Sequence, residues 1–135
     1  MAENKTQVTK QSVAAFLKTL VDAGRIADAK KLVVMLEIAS GEKAKMWGPA
    51  IVGCGSHHYV YESGREGDMP LVAFSPRATA FVLYVGIRTS GASALLARLG
   101  KHKVSGGCLH IKKLAEVDLA VLAAIIEKGV AVVRD

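Results

Sequence analysis

Carboxylates are missing from a long stretch of this chain. Between Met69 and Ala115 there is no Asp or Glu, yet Arg77, Arg88, Arg98, Lys101, Lys103, Lys112 and Lys113 all fall there. The remainder carries eleven basic and twelve acidic groups, so the net charge of +6 is confined to one contiguous third. Such a block steers anionic partners such as nucleotides or phosphorylated metabolites; read plainly, it is a solvated surface that aids solubility. Aromatic residues make up only 5 % of the chain. The basic third shows no RNP-type aromatic stripe and no helix-turn-helix pattern, which argues against nucleic acid as a partner.

Other absences narrow the class further. No window approaches the roughly 20 apolar residues needed to span a bilayer, so no membrane partner is expected. The polar, mixed-charge start "MAENKTQVTKQ" predicts no secretory leader. Without a secretory context the only two cysteines, Cys54 and Cys108, read as reduced thiols, and the default location is cytoplasmic. With 51 % hydrophobic and 22 % charged residues, the composition is globular and not that of a disordered chain. A length of 135 residues predicts one domain over 1–135, with a core at 13–130 and a flexible arm at 1–11.

Periodicity supplies the elements. Ser12 caps a helix carrying Val13, Phe16, Leu17 and Leu20, closed by Gly24. A second helix covers Arg25 to Ala39 with the stripe Ala29, Leu32, Val33 and Leu36, and Gly41 after it. "AIVGC" and "HHYVYE" read as two strands separated by Gly55 and Ser56. "LVAFS" and "AFVLYVG" follow, joined across a turn containing Pro76. "SGASALLARLG" is a short helix with serine caps, and "CLHIKKL" is a fifth strand. Asp118 caps a last helix with Val121, Leu122, Ile125 and Ile126 on its apolar face, which Val133 extends. The predicted order ααββββαβα, with strands adjacent in sequence, implies an α+β fold: an antiparallel sheet of about five strands with helices on one face.

The stretch "VGCGSHHYVYESGREGD", Val52 to Asp68, concentrates the polar chemistry. Cys54, His57 and His58 lie close together, and Cys108 and His110 share one face of a predicted strand. Zinc would accept four such ligands, but neither Cys-x-x-Cys nor His-x-x-x-His spacing occurs, so no metal is assigned. "GCGSHH" starts like a phosphate-binding loop, yet a strand follows the glycines where a helix N-terminus is needed. "LGKHKVSGG", Leu99 to Gly107, is the better anion candidate, because its backbone amides can form a nest beside two lysines. Its plainer reading is a loop with solvated lysines. Arg65 sits among Glu62, Glu66 and Asp68 and is expected to form an ion-pair knot, or else a clamp for a bidentate anion. No Gly-x-Ser-x-Gly elbow is present, and Cys108 qualifies as a nucleophile only in an accessible, electropositive setting with His58 or His102 as base. Trp47, beside Gly48 and Pro49, either floors a pocket or caps the core.

"KMWGPAIVGCGSHHYVYESGREGDMPLVAFSPR", "LLARLGKHK" and "CLHIKKLAEVDLAVL" together resemble the YdhG-like family of small bacterial domains of unknown function, from about Val13 to Val130. The resemblance implies a compact, stand-alone cytosolic α+β domain and brings no reaction with it. The pattern is matched at Trp47, Gly48, Pro49, Gly53, Gly55, Ser56, His58, Tyr59, Gly64, Arg65, Glu66, Gly67, Asp68, Ser75, Pro76, Arg77, Gly100, Lys101, His102, Lys103 and Cys108. The chain departs from it at Cys54, His57 and His110, which weakens a metal site, and at Gly106, where a lysine is expected. Some relatives bear a frataxin-like label that implies iron handling, but hard cations prefer an acidic surface and this chain is basic.

The reading is therefore a binding module for a small anionic molecule, without cofactor. Its candidate ligand-binding residues are Trp47, Ser56, His58, Arg65, Arg77, Lys101, His102 and Lys103. The alternatives are an enzyme acting on such a ligand through His58 or Cys108, or a frataxin-like metal-binding protein. No catalytic residue is assigned.

Overall fold

The computed structural model describes residues 8–60, 62–87 and 91–134. Tyr61 of the expected second strand, Arg88 of the basic block and Ser90, an expected helix cap, lie outside the described residues, as does the side chain of Val133.

Two helices open the chain, α1 (Val13–Lys18) and α2 (Ala23–Ser40). Ser12 caps α1 as expected, its Oγ accepting from the Ala15 amide. Gly24 does not close that helix. Thr19 does, and Gly24 sits in the first turn of α2, whose N-cap is Asp22. Gly41 closes α2 with φ 72°. Ala29, Leu32 and Leu36 are buried, and Val33 is partly so.

Among the described residues eight strands follow, where about five were expected: β1 (Ala44–Trp47), β2 (Ile51–Cys54), β3 (His57–Val60), β4 (Glu66–Met69), β5 (Val72–Pro76), β6 (Phe81–Tyr84), β7 (Lys103–Ser105) and β8 (Cys108–Ile111). α3 (Ser93–Leu99) lies between β6 and β7, and a short 3₁₀ turn at Leu114–Glu116 leads to α4 (Leu119–Arg134). Ala92 occupies the N-cap position of α3 with no side-chain cap, so the expected serine capping is not seen. Asp118 caps α4 through the amides of Ala120 and Val121. Six strands make one sheet in the order β1-β2-β5-β6-β8-β7, every pair antiparallel. The additional strands β1, β4 and β7 are three or four residues long; β4 and β7 are largely exposed, and β1 buries the adjacent Met46 and Trp47, so hydrophobic alternation does not mark them.

The principal correction concerns Gly55 and Ser56. They do not turn β2 back upon β3. β2 pairs with β1 and β5, while β3 pairs with β4 in a separate two-stranded ladder. The two ladders share one register: Cys54 faces Val72 and, beyond the break, His57 faces Met69. This is one long hairpin interrupted where Gly55–Ser56 lies opposite Pro70–Leu71. Pro70 has no amide to donate. Gly55 adopts φ +73°, and a Cβ there would come within 2.5 Å of the Leu71 side chain.

α2 lies beneath β1, β2 and β5, and α4 packs on α2, α3 and β5. Met46, Val52, Cys54, Val72, Phe74, Phe81, Leu83, Leu109 and Ile111 point from the sheet into this layer. Each such side chain contributes about 1.5–3 kcal/mol on full burial. The described part of the N-terminal arm is docked, not free: Val8 bridges Trp47, and the Thr9 amide donates to the Met46 carbonyl. Among the described residues, no helix is long and apolar enough to cross a membrane.

Gly129 tests the contact between α4 and the end of β6. A Cβ at this position would stand 2.3 Å from the Val85 carbonyl oxygen. Helix propensity alone favours Gly129→Ala by about 1 kcal/mol. A backbone clash cannot be relieved by a rotamer and costs about 1–3 kcal/mol. The substitution is expected to lower the urea midpoint; a higher midpoint would refute the close approach.

Candidate functional site

Strand alternation decides what faces away from the helices. On that face stand Lys45 and Trp47 of β1, Gly53 of β2, Ala73 and Ser75 of β5, Val82 and Tyr84 of β6, Cys108 and His110 of β8, and Lys103 of β7. None of the six strands contains Asp or Glu. The acid-free stretch of sequence has thus become the middle and one edge of an acid-free sheet.

Arg77 lies across this face just beyond β5. Its Nε donates to Ser75 Oγ at 3.1 Å, and its Nη2 donates to the Tyr84 hydroxyl at 3.2 Å. Ser75 Oγ in turn donates to the Ala50 carbonyl at 2.7 Å. Ser75 is fully buried, so the tether is firm. Both acceptors are neutral, and among the described residues no carboxylate pairs with Arg77. The exposed guanidinium is therefore oriented but not neutralised, a ready partner for an anion. Tyr84 and His110 were not among the candidate residues. Tyr84 reaches the site through the β5–β6 register, and His110 through cross-strand pairing with Val82 and Lys103.

His58 and Arg65 lie elsewhere, on the β3–β4 extension. The expected ion-pair knot around Arg65 does not form; its backbone amide meets Ser63 Oγ, and among the described residues its guanidinium makes no ion pair. His58 takes the acids instead. Its Nδ1 donates to Asp68 Oδ1 at 2.9 Å, and its Nε2 is 3.6 Å from Glu66 Oε1. The bond to Asp68, with the charge of Glu66 beside it, holds the imidazole pKa above its ordinary 6.5. A histidine so occupied belongs to the hairpin's own cohesion.

The 99–107 segment, the better of the two anion-loop candidates, does not form a nest. Gly106 and Gly107, at φ 60° and 80°, are the two-residue turn between β7 and β8, where positive φ at both positions matches the strand twist. His102 Nδ1 donates to the Gly100 carbonyl at 2.8 Å. Lys101 reaches Glu116 at 3.5 Å. Of the three basic side chains at 101–103, only Lys103 stands on the open sheet face.

Trp47 and Ser56 meet in a cleft of about 600 Å³ beside β1, which Glu42, Lys43 and Lys45 also line. The indole is 2 % exposed, and its Nε1 has no hydrogen-bond partner. A second groove, about 520 Å³ between α2 and α4, is apolar apart from Lys30 and Lys31. The eight candidate residues thus divide among four places: Arg77 with Lys103 on the sheet face, Trp47 with Ser56 in the cleft at its β1 edge, His58 and Arg65 on the β3–β4 extension, and Lys101 with His102 before β7.

Cys54 is buried on the helix side, whereas Cys108 and His110 share the opposite face as their spacing predicts. Burial pushes the Cys54 thiol up to about 12, with a hydrogen bond to Ser40 opposing it. Both thiols are free. Among the described residues no three His, Cys, Asp or Glu side chains are grouped to hold a metal ion.

Two outcomes are expected. A thiol reagent applied to the folded protein labels Cys108 alone, and Cys54 reacts only on unfolding; mass spectrometry reads both. For His58, a raised folded-state pKa means the Asp68 contact stabilises the hairpin fully below the unfolded value of about 6.5 and is lost as pH rises through the raised value. An NMR titration of His58 should give a midpoint above 6.5. Asp68→Asn should move it down; an unmoved midpoint would contradict the pairing.

No family model, curated protein or solved structure matches this chain, and its function rests on its own geometry.

Proposed function

We propose that this protein is a cytoplasmic binding module for a small anionic molecule, taken up on the sheet face opposite the helices with Arg77 at its centre. The observation that carries the reading is the way Arg77 is held. Its guanidinium is anchored by a buried serine and a tyrosine hydroxyl, both neutral, on a sheet whose strands contain no carboxylate. An arginine paired with an acid is already satisfied; one fixed by neutral acceptors retains its full charge in a preset direction. Lys103 adds a second cation. From β6, over which the guanidinium lies, to β7 is two strand spacings, about 10 Å, and His110 of β8 lies between them. That span suits a ligand with two anionic groups, or one multiply charged group reached by the flexible lysine.

Membership of the YdhG-like family belongs to the same proposal. It is supported by the position of the Ser75, Pro76 and Arg77 motif, which supplies the anchor and the cation together. Catalysis through His58 or Cys108 has no hydrogen-bonded nucleophile–base pair behind it among the described residues.

Calorimetric titration with pyrophosphate and citrate tests the reading. Binding is expected with both, weakening as salt is raised. Arg77→Gln should cost about tenfold or more in affinity, the range of one charge-assisted hydrogen bond. Tyr84→Phe, which loosens the tether and keeps the charge, should cost less. Absence of binding, or an Arg77→Gln variant that binds as well as the parent, refutes the site.

A further inference from the structure

The Trp47 cleft opens along β1 and β2 from Trp47 toward Glu42 and Gly55, away from Arg77, and has a different chemistry. Trp47 pairs with Ile51 across the β1–β2 ladder, and its indole leans over Gly53. A Cβ on Gly53 would meet the indole Cδ1 at 2.7 Å and Pro70 Cβ at 2.7 Å, so the absence of a side chain there is what seats the ring. The Cδ1 corner is covalently next to Nε1. The one polar atom of the ring therefore lies close to Gly53, which is itself a wall of the cleft.

That atom is unsatisfied. Trp47 Nε1 is the only buried side-chain nitrogen or oxygen among the described residues without a hydrogen-bond partner. An orphaned buried donor costs about 1–3 kcal/mol, and a native structure keeps one mainly where something else is to meet it. Beside it the cleft presents Lys43, Lys45 and the Ser56 hydroxyl, and also the carboxylate of Glu42. Among the described residues neither lysine nor Glu42 is engaged in an ion pair. Donors and a cation call for a carboxylate; the free acid calls for an ammonium. At about 600 Å³ the cleft falls in the size range of small-molecule sites.

We propose that the Trp47 cleft, at the β1 edge of the open sheet face, is a second binding site distinct from the Arg77 guanidinium, and that it takes a zwitterion of the α-amino acid class. The ligand carboxylate accepts from the indole N–H and is countered by Lys43 and Lys45. Its ammonium faces Glu42. The indole nitrogen is sealed from solvent in the unliganded protein, so the acceptor reaches it only as the groups covering it move. Relief of the unmet donor then favours the bound state. A dianion such as phosphate is disfavoured because Glu42 repels it, which separates the ligand preference of this cleft from that of the Arg77 site.

Trp47 is the only tryptophan in the chain, so two spectroscopic signals report on this cleft alone. The single indole N–H cross-peak in a ¹⁵N–¹H NMR spectrum moves downfield on gaining an acceptor, and the intrinsic fluorescence changes with it. The probes are the standard α-amino acids other than tryptophan and tyrosine, inorganic phosphate, and, for the tightest amino acid, its analogues lacking the amine or the carboxylate. The expected result is a saturable shift with one or more amino acids, with each analogue weaker by about tenfold or more. Glu42→Gln, a change at an exposed position, should bring the amino acid down to the affinity of its deaminated analogue while the fold is retained by circular dichroism. No saturable shift with any amino acid overturns the proposal. So does equal binding of phosphate or of the deaminated analogue, or a Glu42→Gln variant that binds the amino acid undiminished. Arg77→Gln should leave these titrations unchanged, so failure here and failure of the sheet-face reading are separately visible.

Discussion

One-sided burial of the six-stranded sheet is the constraint on which the rest of this structure depends. Alternate residues of β1, β2, β5, β6 and β8 go down onto α2 and α4, and a slip of one residue in any of them would expose that whole set to water. With the register pinned from below, the upper face has no freedom. Trp47, Ser75, Tyr84, Cys108, His110 and Lys103 are there because Met46, Phe74, Leu83, Leu109 and Ile111 are beneath. The chemistry of the open face is a by-product of core packing, fixed with the same precision.

Charge is sorted by the same topology. The sheet's strands hold lysine and histidine but no acid, with Arg77 laid across them from just beyond β5, while the β3–β4 extension beyond Gly55 carries Glu66 and Asp68 with His58 between them. The carboxylates in the hairpin are occupied by their own strand partner. Arg77 has only neutral anchors. Two basic residues of similar appearance in the sequence, Arg65 and Arg77, therefore have different prospects: one projects from a loop without an ion-pair partner among the described residues, the other is laid flat and aimed. Preorganisation, more than net charge, separates a binding group from a solvated one.

The helices were legible because long periodic apolar stripes leave few alternatives; Ser12, Asp118 and Gly41 mark their ends as their cap chemistry demands. The central strands were legible for the same reason. β1, β4 and β7 were not: "EGDM" and "KVS" bury almost nothing, and "AKMW" buries two adjacent residues, so none of them shows alternation. Gly55 misled because glycine with positive φ serves a hairpin turn and a kink within a continuing ladder equally well; the lack of an amide at Pro70, far off in sequence, decides for the kink. Lys101 and His102 looked free only because their partners, Glu116 and the Gly100 carbonyl, are set by how α3 meets the turn before α4.

The sequence by itself determined the α+β class, the antiparallel pairing and the confinement of positive charge to one contiguous third, because these follow from local periodicity and composition. It also placed Cys108 and His110 on one face, since a strand has a period of two. Only the tertiary structure decided which basic side chains remain available. That depends on whether a neutral acceptor, a carboxylate or a carbonyl lies within about 3 Å of each, and strand order and register bring such partners together from distant parts of the chain.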